Sequence, residues 1–136
     1  ANVLVGDDGD SVARSGLAVS DVTVGVCVQV PRTALSAGSL ATDSCSVPHA
    51  AEVIHVGELD DGAFPGEQAA QRLAAQQCLA AFEPYVGIRY EDSRLQVTVT
   101  SPTDVRWGEG DRSYACIAHP DDGSALPGGS VRGTAR

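Results

Sequence analysis

Between Val22 and Val30 every even position is valine, and the odd positions are Thr, Gly, Cys and Gln. That period of two predicts a half-buried strand. A second strand is predicted from Ala51 to Leu59, stopped by the turn signal Asp60-Asp61-Gly62. Leu95, Val97 and Val99 alternate with Gln96, Thr98 and Thr100 to give a third, and Arg112 to His119 give a fourth, with Tyr114 and Cys116 on one face. The period changes after Phe64-Pro65-Gly66-Glu67, where Ala70, Leu73, Ala74, Cys78, Ala81, Phe82 and Tyr85 recur at helical spacing. Gly66 serves as N-cap, Glu67 complements the helix dipole, and Pro84 is expected to end the helix near Glu83. Ser101-Pro102-Thr103-Asp104 predicts a capped helical turn with Pro at its first position, closed by Gly108. Residues 1–20 read as a tail or linker, 31–50 as a loop, and 126–133 as a Gly-rich return or tail. The fold class this implies is α+β: one domain over 21–136, a small antiparallel sheet of about four strands, and one long helix packed on it.

Length and composition narrow the picture. At 136 residues the chain suits one hydrophobic core, yet it holds only one Trp, three Tyr and two Phe. Val, Ala and Leu must fill the interior. A formal charge of −9 argues against nucleic acid or an anionic membrane surface as partner, since both repel it. No apolar stretch approaches the roughly 20 residues needed to span a bilayer. The chain has no Met, so Ala1 is not expected to be a native start: either a signal or anchor segment has been removed upstream, or the chain was simply cut there.

Cys27, Cys45, Cys78 and Cys116 are even in number and widely spaced, without a Cys-x-x-Cys pair. Structural disulfides in an oxidising compartment are expected, rather than a thiol active site or a zinc ribbon. Three connectivities are possible. Cys27–Cys45 with Cys78–Cys116 is preferred, because the first pair flanks one loop and the second faces inward from a helix and a strand. The two bridges would offset the thin aromatic core.

Five blocks, in order, resemble the actinobacterial septum-formation family. They are Val24-Gly25-Val26-Cys27, Cys45 through Pro48-His49 and Glu52-Val53, Pro65-Gly66 through Cys78, Pro102 through Trp107 and Gly110-Asp111-Arg112 to Cys116, and Gly129-Ser130-Val131-Arg132-Gly133. The chain departs from the family pattern at Val26, where the family carries Asp, and in the long loop between Cys27 and Cys45. The resemblance implies an extracytoplasmic address in the cell envelope, secreted or anchored, and a link to cell growth or division.

Four residues are candidate partner-binding positions: His49, Glu52, Trp107 and Arg112. Cys45, His49 and His55, with Glu52 or Cys27, could be written as a zinc site. Disulfides consume two of those ligands, however, and residues 52 and 55 are expected on opposite faces of a strand, so no metal and no cofactor is expected. His49 and Glu52 could act as base and acid of a wall-acting hydrolase, but no nucleophile elbow accompanies them. Ordinary roles are favoured instead: Pro48-His49 shaping a turn, Glu52 paired with an Arg such as Arg112, and Trp107 capping the sheet beside a Gly-Asp turn. The expected function is a non-catalytic interaction or sensor module of the envelope, with an envelope or division protein as partner. The hydrolase is the alternative.

Overall fold

The computed structural model describes residues 16–29 and 39–135. Its strands are β1 (Gly16–Ala18), β2 (Cys27–Val28), β3 (Ser39–Asp43), β4 (Ala51–Glu58), β5 (Leu95–Thr100) and β6 (Ser113–Pro120). They form one antiparallel sheet in the order β1-β3-β2-β4-β6-β5. The helices are α1 (Glu67–Val86), on the sheet, and the short α2 (Asp104–Gly108), between β5 and β6. The α+β class stands, with six strands among the described residues where about four were expected.

The two extra strands come from segments with no apolar alternation. β3 lies inside the expected loop 31–50; backbone pairing places it between β1 and β2, and it buries one large apolar side chain, Leu40. β1 falls within the expected tail 1–20, and the 3₁₀ turn Val19–Asp21 that follows it buries Val19 and reaches over to β6. Residues 16–20 of the expected tail are therefore part of the packed fold. Residues 1–15 of that tail lie outside the described residues.

Of the strand expected over Val22–Val30, the described part, up to Gln29, is strand only at Cys27–Val28; Val30 lies outside the described residues. Gly25, at φ +96°, turns the chain and leaves Val24 exposed. The segment still follows β4, through Gly25 N–H to Val53 C=O at 2.8 Å and Val53 N–H to Val26 C=O at 2.8 Å.

Helix α1 runs past Pro84 to Val86, beyond the expected end. A proline in the last turn removes one hydrogen bond, and burial of Tyr85 and Val86 outweighs that loss. The C-terminal segment satisfies carbonyls left open at the helix end: Gly133 N–H donates to Tyr85 C=O and Ala135 N–H to Val86 C=O, both at 2.8 Å. The Gly-rich end of the chain is thus a docked cap. Inward positions on α1 are Ala70, Ala74, Cys78, Phe82, Tyr85 and Val86; Leu73, expected inside, is 44 % exposed. Small side chains at 70, 74 and 78 let the helix sit close to the sheet, and this narrows the buried stripe.

β6 is buried on both faces. Tyr114, Cys116 and Ala118 meet α1, while Ala115 and Ile117 meet Val19, Val22, Val28, Leu40 and Val53. The Cys27–Cys45 bridge ties β2 to the segment after β3, and Cys78–Cys116 ties α1 to the central strand.

Candidate functional site

Glu52 sits in β4 with no solvent exposure, facing the helix. Its Oε2 accepts from Tyr85 Oη at 2.5 Å and from Ser130 Oγ at 2.7 Å, and its Oε1 accepts from Val131 N–H at 2.9 Å. Three donors from α1 and the C-terminal cap converge on one carboxylate, which compensates its removal from water. Burial, followed by the hydrogen bond to Glu52, raises the Tyr85 pKa above that of a free tyrosine. Arg132 lies over the Tyr85 ring, 5.4 Å from its centroid. The expected Glu52–Arg112 pair does not form.

His49 lies just before β4 and is 2 % exposed. Its backbone pairs with Leu126 in both directions, at 3.1 and 2.7 Å. Its Nδ1 donates to Val47 C=O at 2.8 Å, and its Nε2 is buried without a hydrogen-bond partner. A ring nitrogen of His49, a Glu52 oxygen and Cys27 Sγ lie within 4.8 Å of one another. His55 is not in that group. The register of β4 against β6 shifts between Val53 and His55, a bulge that turns His55 to the same face as Glu52. The opposite-face expectation is therefore overturned, and His55 pairs instead with Tyr114, its Nε2 lying 3.2 Å from the hydroxyl. Both candidate partner-binding residues, His49 and Glu52, are therefore buried rather than on the surface.

The second cluster surrounds Trp107, which is 8 % exposed. Its Nε1–H donates to Gly62 C=O at 2.9 Å, and Phe64 packs at a centroid distance of 5.4 Å. The Arg112 guanidinium stacks 3.9 Å from the indole centroid, donates to Trp107 C=O at 2.7 Å, and pairs with Asp61 at 3.6 Å. Thr103, not Ser101, caps α2 through Arg106 N–H. Asp111 accepts from the Ser113 N–H and hydroxyl, and Gly110 takes φ +92° in the turn. Arg106, buried beneath this turn, reaches Asp111 at 3.4 Å and Ser101 C=O at 2.6 Å.

Beside Trp107 lies a groove of about 440 Å³ between α1 and the end of β4, walled by Leu59, Pro65, Leu73 and Tyr114 and edged by Glu58 and Asp60. Sequence reasoning placed Trp107 and Arg112 together but missed Tyr85, Ser130, Arg106 and the groove. The signals for Ser130 and Tyr85 were present: a serine amid glycines, and a tyrosine two turns beyond Cys78 on the same helical face.

These features define a small disulfide-stapled α+β domain whose motif blocks meet at an internal carboxylate and at a stacked Trp–Arg pair. The profile of the septum-formation family matches residues 24–134, and the chain belongs to that family. No match was found among curated proteins or solved structures.

Proposed function

We propose that this chain is a non-catalytic interaction module on the outer side of the cell envelope, serving septum formation by docking a segment of an envelope or division protein. The groove beside Trp107 carries this reading. Its apolar walls and the exposed Leu73 suit an apolar side chain, and Glu58 and Asp60, on a chain of net charge −9, suit a segment with basic residues. Two disulfides support the extracytoplasmic address. No helix of the described residues is long and apolar enough to cross a membrane. The hydrolase alternative would need His49 and Glu52 to meet a polymer, and both are buried, with the Glu52 oxygens already engaged.

A photo-crosslinking residue at position 73, compared with one at the equally exposed position 79 outside the groove, tests the docking reading in cells. The expected result is a discrete envelope or division protein captured from 73 and not from 79, and lost with Glu58→Lys plus Asp60→Lys. Identical patterns from both positions, or turnover of peptidoglycan abolished by His49→Ala in a folded protein, would overturn it.

A further inference from the structure

We propose that the Cys27–Cys45 bridge conceals a site for a thiophilic divalent cation of the zinc class, which forms when the bridge is reduced. Cys27 Sγ, a His49 ring nitrogen and a Glu52 oxygen already lie within 4.8 Å of one another, all three residues buried. Cys45 Sγ, bonded to Cys27, supplies a second sulfur at the same place. Because a carbonyl only accepts, the contact to Val47 C=O puts the His49 proton on Nδ1 and the free lone pair on Nε2. That backbone-anchored tautomer is the arrangement of a metal-binding imidazole. Nε2 is the buried atom without a partner. Glu52 Oε1 accepts only the Val131 N–H and keeps a lone pair. Two sulfurs, one nitrogen and one oxygen favour zinc over calcium or magnesium.

The bridge opens by thiol–disulfide exchange with an external dithiol. A thiolate of that reductant attacks Cys45 Sγ, on the partly exposed member of the pair; Cys27, 1 % exposed, leaves as the thiolate beside His49. The reductant's second thiol resolves the mixed disulfide, releasing Cys45 and oxidising the dithiol by two electrons. The two protons given up by the dithiol go to water or to the cysteine sulfurs, and the cation binds both sulfurs as thiolates, releasing any proton they carry. Cys78–Cys116 is fully buried at both ends and stays closed, so α1 remains fixed to β6 during the exchange. The site does not depend on the groove beside Trp107 or on its docking role.

Cobalt(II) titration of the whole chain, oxidised and after reduction without denaturant, tests the site, with mass spectrometry recording which bridge has opened. The expected result is one cobalt per reduced chain with tetrahedral visible bands and sulfur charge transfer, displaced by zinc, and none in the oxidised chain. His49→Ala should weaken binding by at least about tenfold. Tryptophan fluorescence is followed in the same samples, and binding that appears only with loss of fold overturns the proposal. So does an absence of tetrahedral bands, or unchanged affinity in His49→Ala. Should that variant not fold, the wild-type chain decides the matter in a thiol buffer: zinc must raise the fraction with Cys27–Cys45 open, and a zinc-independent fraction overturns the site.

Discussion

The Tyr85 hydroxyl donates to the Glu52 carboxylate at 2.5 Å, joining the last turn of the long helix to the start of β4 across 33 positions of sequence. The C-terminal cap adds Ser130 and Val131 to the same carboxylate, so helix, sheet and chain end are locked through one side chain. Removing it should be severe. Glu52→Ala strands the buried Tyr85 hydroxyl and Val131 N–H, and also frees the more exposed Ser130 hydroxyl, and is expected to lower stability by about 3–5 kcal/mol, while Tyr85→Phe should cost about 1.5–3 kcal/mol. In urea unfolding the double variant should lose less than the sum of the two. Full additivity would show that the pair is not coupled.

Trp107 is wedged between Phe64 and the Arg112 guanidinium with its N–H satisfied by Gly62. Trp107→Ala should therefore cost about 3–5 kcal/mol, as for other buried large-to-small changes. Arg112→Ala should redshift the emission of this single tryptophan, because the stacked cation no longer covers the ring. A Trp107→Ala variant melting within a degree or two of the parent would place the indole outside the stabilising core.

The Cys78–Cys116 bridge closes a separation of 38 residues and Cys27–Cys45 one of 18. By the loop-entropy relation, serine at both Cys78 and Cys116 should lower stability by about 4 kcal/mol, against about 3 for the other pair. Thermal or urea unfolding of the two double variants checks the order. The reverse order would mean that helix docking survives on apolar packing alone.

Alkaline pH should weaken the fold. Burial raises the pKa of both Tyr85 and Tyr114, so above the ordinary tyrosine value of about 10 the unfolded chain releases protons that the folded chain retains. Stability contributed by these groups is complete below that pH and falls as pH rises toward their folded values. Tyr85→Phe combined with Tyr114→Phe should flatten the alkaline decline in melting temperature, and tyrosinate absorbance should appear together with unfolding. A decline unchanged in the double variant would assign it to other groups.

The local pattern of this chain determined its class and its longest elements: α1 and β5 follow from the helical and the alternating period, and β4 and β6 from apolar-rich runs bounded by turn signals. The motif residues also marked which side chains matter, because Glu52, Trp107 and Ser130 all lie in those blocks. Three matters were decided by tertiary structure. β3 has a single large apolar residue, Leu40, and is held by hydrogen bonds to neighbouring backbones and by burial of that one side chain, neither of which a periodic side-chain pattern encodes. Pro84 stays within α1 because burial of Tyr85 and Val86, and a cap supplied by Gly133 and Ala135 from the far end of the chain, outweigh a local preference to stop. The bulge in β4 turns His55 to the face of Glu52, and the cap carries Ser130 to Glu52 from 78 positions along the chain. Such contacts depend on distance in space, and periodicity carries information only about neighbours along the sequence.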